Sequence, residues 1–252
     1  MAAHSGSTAA PRHGLARALS KLGVCSRTQA TAWIREGRVA LKGHIERDPE
    51  APAVVGVDQI DVDGVAVGLA APVYVMLNKP RGIVTTASDE QGRATVYDLL
   101  RDARLPWISP VGRLDRASEG LLLLSNNTQW ASGITEPRAA IDKRYHVQID
   151  RLPDVELLNG LVRGVSDRGE LLSAKSVVEL RRGQRNAWLE IVLDEGRNRQ
   201  IRRLLAAFDI NVLRLVRIAI GGLQLGDLPR GQWRHLQDDE VAALWVDEVR
   251  FS

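Results

Sequence analysis

The sequence predicts an α+β protein with a mainly antiparallel sheet, preceded by a small module of helices and short strands. Three observations lead there. Runs of period-two alternation dominate the chain from residue 73 onward. The helical patterns are interspersed among them and do not alternate strictly with them, which disfavours a doubly wound parallel sheet. A stretch poor in long side chains, Gly68-Leu69-Ala70-Ala71-Pro72, separates this region from a helix-rich front. The 252 residues, 44% apolar and 26% charged, suffice for a small domain joined to a medium one. The expected division is a disordered tail at 1–11, a front module at 12–67, a linker at 68–72 and a main domain at 73–252.

In the front module, Leu15, Leu19 and Leu22 recur at helical spacing, and Gly23 ends that helix. Ser26 and Gln29 fit a capping box for a second helix, which carries Ala30, Trp33 and Ile34 inward and stops by Gly37. Val39 and Leu41 then alternate with polar residues. Ile60 and Val62 alternate with aspartates, and Asp63-Gly64 reads as a hairpin turn into Val65 and Val67. The pattern Ser26, Arg27, Ala30, Ile34, Arg35, Gly37, Arg38 and Val39, followed by the VDQIDVDG hairpin, resembles the S4 RNA-binding domain. That resemblance makes Arg27, Arg35, Arg38 and Lys42 candidate contacts to RNA phosphates, of the kind that position RNA without reading its sequence. The same arginines also read as ordinary surface charges.

In the main domain, Val73 to Leu77 reads as a strand ending in the basic turn Asn78-Lys79-Pro80-Arg81-Gly82. Ile83 to Thr86 is extended and Thr95 to Leu100 is a helix candidate. Leu121 to Leu124, bounded by Gly and Ser/Asn, is consistent with a fully buried strand. A short helix follows around Trp130. Lys143 to Ile149 alternates, with Tyr145, Val147 and Ile149 on one face. Pro153 to Leu161 reads as a helix with Pro in its first turn, and Leu171 to Leu180 and Trp188 to Leu193 as strands. After the Asp194-Glu195-Gly196 turn, Ile201, Leu204, Leu205 and Phe208 form a helical stripe. Val212 to Leu225 is β-rich with a break at Gly221-Gly222, a last strand lies near Trp233, and residues 238–245 make a closing helix.

Composition narrows the chemistry. Net charge is only +3, but Arg197, Arg199, Arg202 and Arg203 fall within seven residues, a local density that suggests phosphate contacts. Cys25 is the only cysteine, so no intramolecular disulfide or cysteine-based zinc site can form. The five histidines are dispersed, and no metal is called for. No apolar run approaches the ~20 residues needed to span a bilayer. The N-terminal residues lack a signal-peptide core, so the chain is expected to be cytoplasmic.

The polar head Gly112-Arg113-Leu114-Asp115-Arg116 puts one carboxylate between two guanidiniums ahead of the leucine run. A nucleophilic carboxylate is held in such a setting, and many solvent-facing loops look alike. By periodicity alone Tyr145 is an ordinary core tyrosine.

The order NKPRGIVTT, VGRLDRASEGLLLLSNN, KRYHVQI and EGRNRQIRRLLAAF is similar to the RsuA/RluB/RluE/RluF family of pseudouridine synthases, over nearly the whole chain beyond residue 12. Departures are small: Ser118 where Thr is common, and Asn127-Thr128 where Asp-Gly often stands. The resemblance implies an S4 module followed by a pseudouridine synthase domain that isomerises one uridine in a structured hairpin of ribosomal RNA, with a lean to the large subunit. It also implies a monomer that works without a cofactor. Asp115 would be the catalytic aspartate, Tyr145 the wall against the uracil and Arg202 the cation paired with the aspartate. Arg113 would hold the extruded nucleotide, and Lys79, Arg197 and Arg199 would add RNA contacts. Rival expectations are a small-subunit synthase, a non-catalytic rRNA-binding assembly factor, and a carboxylate hydrolase, the last lacking a second acid or histidine at a recognisable spacing.

Overall fold

A computed structural model describes residues 10–87 and 89–245. Of the expected tail at 1–11, residues 1–9 lie outside the described residues. The chain forms two compact units, one running through Val73 and taking in Leu105–Ser109, the other comprising Tyr74–Arg104 and the chain from Pro110.

The first unit holds β1 (Arg12–Gly14), α1 (Leu15–Lys21), α2 (Arg27–Arg35), β2 (Val39–Leu41), β3 (His44–Ile45), β4 (Pro52–Val54), β5 (Ile60–Val62) and β6 (Val65–Ala66). Leu15, Leu19 and Leu22 meet Ala30 and Ile34 in a dry core closed by Val39, Ala53 and Ile60. The Ser26 side chain accepts from the Gln29 amide, which starts α2. Strands β3-β2-β5-β6 form one sheet, and β5 and β6 are joined by the expected hairpin. The pairing of β1 with β4 was not legible, because β1 is three residues with no alternation. Ala70 donates its amide to Leu22 within this unit, at 3.0 Å.

The second unit holds β7 (Tyr74–Lys79), β8 (Ser109–Val111, all but its first residue), β9 (Glu119–Ser125), α3 (Thr128–Thr135), β10 (Lys143–Ile149), α4 (Val155–Arg163), β11 (Val165–Asp167), β12 (Glu170–Leu172), β13 (Ser176–Arg182), β14 (Ala187–Leu193), α5 (Gln200–Ala206), β15 (Val212–Ile220), β16 (Leu223–Gln224), β17 (Trp233–His235) and α6 (Asp238–Ala243). The main sheet runs β13-β14-β10-β15-β9-β7-β17, with β16 on β15 and β8 on β9. The long pairings are antiparallel, as expected. One pair is parallel, and it is short: Val216 opposite Glu119 and Arg217 opposite Gly120. It joins the half-sheet of β13, β14, β10 and β15 to that of β9, β7 and β17.

Strand β9 is buried at every residue, which explains its unbroken leucine run. Leu121 and Leu123 pack with Trp130, Ile134 and Ile220. On β10, Val147 and Ile149 face a second core of Leu189, Ile191, Leu204 and Leu205 beneath α4 and α5. Several expectations are corrected. The 171–180 strand is instead a tight β11–β12 hairpin followed by β13. Pro153 precedes its helix, whose N-cap is Asp154 accepting from Leu157. Residues 96–100 form a 3-10 helix capped by Thr95. Within 83–86 only an isolated bridge forms, Val84 to Thr95. Among the described residues no helix is long and apolar enough to cross a membrane.

Candidate active site

The loop ahead of β9 is held by its carbonyls. Leu114 C=O accepts from Thr85 Oγ1 at 2.8 Å. Asp115 C=O accepts from Lys79 Nζ at 3.1 Å and from the Ser118 amide at 2.9 Å. Arg116 C=O accepts from the Gly82 amide at 2.7 Å, Ala117 C=O from Arg202 Nη2 at 3.1 Å, and Ser118 C=O from Lys79 Nζ at 2.9 Å. Five consecutive carbonyls are thus tied, each of them to a segment outside the loop. The Asp115 side chain is left free of this scaffold and half-buried, as a preorganised reactive group requires.

Gly120 lets the strands that carry this loop approach. Its φ is +100°, and a Cβ there would stand 2.2 Å from Arg217 C=O and 2.8 Å from Arg217 N. Only glycine fits where β9 and β15 run side by side.

Lys79 corrects an expectation. It was counted among RNA contacts, but its side chain is fully buried and its three N–H donors go to Pro80, Asp115 and Ser118 carbonyls. Burial lowers its ammonium from 10.5 to about 8, with Asp115 and Glu119 pulling the other way. It is an anchor under the aspartate and has no donor left for a phosphate.

A cavity of about 560 Å³ opens above the loop and is lined by Asp115, Arg113, Tyr145, Arg197, Arg199 and Arg202. The second unit thus brings together every main-domain candidate except Lys79. The cation bonded to the aspartate differs from the expected one. Arg199 Nη1 lies 3.3 Å from Asp115 Oδ2, whereas Arg202 donates to the Ala117 and Val212 carbonyls. Arg199 is the left-handed residue capping α5, with φ +50°, and this conformation turns its side chain away from the helical stripe. Arg202 still senses the site: burial and the Arg199 charge lower its guanidinium, while Asp115 opposes them. Arg197 is engaged by Glu195 at 2.9 Å, and Arg113 is exposed at the cavity rim.

Two lining residues were missed. Arg217 lies on β15 directly opposite Tyr145, and Lys143 lies on β10 two residues before Tyr145 on the same face. The available signal was parity: Arg217 shares the inward face of Leu215.

On the first unit, Arg38 is bound by Asp63 at 2.9 and 2.6 Å and lies over the Trp33 ring at 5.0 Å. Lys42 pairs with Asp58 at 3.0 Å. Arg27 and Arg35 are exposed and have no ion-pair partner among the described residues.

Comparison with known proteins identifies residues 73–207 with the RNA pseudouridylate synthase family. The chain is 36% identical to ribosomal large subunit pseudouridine synthase B of Bacillus subtilis (strain 168), over 91% of this chain and 94% of that one. It is also 36% identical to an uncharacterised RNA pseudouridine synthase of Aquifex aeolicus (strain VF5), over 90% and 91%. A crystal structure of a pseudouridylate synthase superposes with a TM-score of 0.64 at 29% identity, covering 93% of this chain and 99% of that one.

Proposed function

The chain belongs to the RNA pseudouridylate synthase family, and from that premise we propose that it converts one uridine of a ribosomal RNA hairpin to pseudouridine with Asp115 as the catalytic carboxylate. The observation that carries this reading is the tied loop, which offers one half-buried carboxylate to a cavity walled by Tyr145. The large-subunit substrate is favoured by the named relative from Bacillus subtilis. A small-subunit target is the second reading.

The uracil must leave its N1–C1′ bond, rotate, and rejoin through C5. No atoms are gained or lost, so the reaction calls for no cofactor. A stacked uridine is out of reach, and flipping it out costs a few kcal/mol. Stacking on Tyr145 returns roughly 1–3 kcal/mol. Arg113, exposed at the rim, fills the vacated space in the RNA. Arg199 orients the carboxylate from 3.3 Å, and Arg202 braces the loop through Ala117. Asp115 then either attacks a carbon of the nucleotide or takes a proton from the ribose. The first unit, on this reading an S4-type module over 12–67, grips RNA backbone with Arg27 and Arg35, whose charges carry no carboxylate partner among the described residues. On this reading the protein acts as a cytoplasmic monomer.

Asp115→Asn abolishes release of label from C5 of uridine while RNA binding survives. Measurable turnover by that variant sinks the assignment, and loss of binding with it points to a structural role. Mapping pseudouridine in rRNA from cells with and without the gene names the target, and an unchanged map favours an assembly factor.

A further inference from the structure

The cavity is lined by two cations, Arg217 and Lys143, that form no ion pair among the described residues, although Asp194 also lines it and acts on Lys143. Arg217 is 5% exposed. Its Nε donates to Leu121 C=O at 2.7 Å, and its Nη2 is buried with no hydrogen-bond partner. Lys143 stands on the neighbouring strand, half-buried. Neither has an ion pair among the described residues: the carboxylate next in sequence, Asp142, is held by Lys175 at 2.8 Å. A buried guanidinium with an unmet donor and no counter-charge is expensive to keep. Two cations lining one cavity repel each other as well, and burial followed by Arg217 lowers the Lys143 ammonium, against Asp142 and Asp194. A fold bears such a cost where a negative charge arrives from outside.

The geometry says where it arrives. Tyr145 sits opposite Arg217 across the β10–β15 ladder and two residues along the strand from Lys143. Facing residues in an antiparallel ladder are about 4.5–5.5 Å apart, and same-face neighbours along a strand are about 7 Å apart. A pyrimidine stacked on Tyr145 therefore has both cations within side-chain reach of its edge. Asp115 approaches from the loop on the β9 side.

We propose that Lys143 and Arg217 form the pole that receives the negative charge of the uracil when its glycosidic bond breaks. This rests on the synthase reading above. The charge balance holds for either role of Asp115. If the carboxylate bonds C1′, the N1–C1′ bond breaks and its electron pair stays on the uracil. If the carboxylate takes the C2′ proton, a C1′–C2′ double bond forms and the same pair stays on the uracil. In both cases one negative charge moves from Asp115 to the ring, where O2 and O4 share it. In the reverse sense, C5 bonds C1′, the carboxylate is released or the C2′ proton returned, and the C5 proton is lost as N1 gains one. Arg217, fixed by Leu121, supplies the standing field. Lys143 is the donor that meets a ring oxygen.

The test is single-turnover conversion of an rRNA fragment by Lys143→Gln, beside Lys143→Arg and with RNA affinity measured separately. Removing one preorganised donor to developing charge slows such steps by about 10²–10³-fold. The expected result is a loss of that order at saturating RNA with Kd within about twofold, and recovery to within about tenfold in Lys143→Arg. A fragment bearing 5-fluorouridine, whose ring holds negative charge more readily and has no C5 proton to lose, is compared with the uridine fragment by consumption of the N-glycoside, and it loses less in Lys143→Gln than the uridine fragment does. An unchanged rate, a loss confined to Kd, or an equal loss on both fragments overturns the inference alone. A wild-type enzyme that converts no rRNA uridine overturns the synthase reading and this inference with it.

Discussion

Lys79→Met separates what the buried lysine does for folding from what it does for catalysis. Methionine fills similar space but donates nothing. Pro80 C=O and Ser118 C=O each lose the Lys79 bond, while Asp115 C=O keeps the Ser118 amide at 2.9 Å. An orphaned buried carbonyl costs about 1–3 kcal/mol, so two cost about 2–6 kcal/mol. Against this, the native fold holds a proton on an amine lowered from 10.5 to about 8, a penalty of about 3 kcal/mol that methionine removes. The two effects largely offset each other, leaving a net change between about 1 kcal/mol of stabilisation and about 3 kcal/mol of destabilisation. The loop that bears Asp115 nevertheless loses its deepest tether, and a displacement of about 1 Å at a reacting group costs about 100-fold in rate. Urea denaturation and single-turnover C5 label release on the same preparation measure both. The expected outcome is a folded protein with a rate down about 100-fold or more. A variant within threefold of the wild-type rate refutes the role given to Lys79, as does one whose rate falls only in step with its folded fraction.

The remaining predictions concern backbone and protonation. Gly120→Ala forces a Cβ to within 2.2 Å of Arg217 C=O at a φ of +100°, so unfavourable dihedral and overpacking together cost about 2–5 kcal/mol in urea denaturation. Gly112→Ala, where the nearest atom is Thr135 Cγ2 at 3.7 Å, costs about 1–2 kcal/mol. Equal effects at the two positions contradict the close-approach argument. Alkaline pH acts in opposite directions on the two properties that Lys79 controls. Its folded value lies near 8 and its usual one at 10.5, so the unfolded chain binds this proton more tightly, and the lysine's contribution to stability rises across that window. Over the same window the neutral amine has two donors for three carbonyls, and turnover falls along a limb centred near pH 8 that persists in Lys143→Arg. A flat rate to pH 9.5 contradicts this.

What the sequence disclosed divides along physical lines. Patterns set by one element were readable: the helix of Leu15, Leu19 and Leu22, the cap at Ser26, the face shared by Tyr145 and Val147, and the buried leucine strand. Features set by distant pairing were not. Nothing local to Asn78-Lys79-Pro80 reveals that the lysine ends a strand whose neighbour buries it, so a basic turn looked like an RNA contact. The family resemblance made Arg202 the partner of Asp115, and no local pattern pointed to Arg199 instead. Arg199 sits one residue before α5 with left-handed backbone, and its direction follows from that single φ. Arg217 carried a readable mark, a charge at inward strand parity, yet its significance depends on Gly120 lying beside it across the parallel seam.

That seam also fixes when the enzyme can begin to work. The segment bearing Asp115 emerges from synthesis well before its brace Arg202 and its neighbour Arg217. Contacts so far apart along the chain close late, because a long loop must be ordered first. Until β15 is complete, a growing chain carries the tied Asp115 loop without Arg217 beside Gly120. On the proposed reading, a fragment ending before β15 holds the Asp115 loop but lacks Arg217 and the seam with β9, and is expected to release no label from C5.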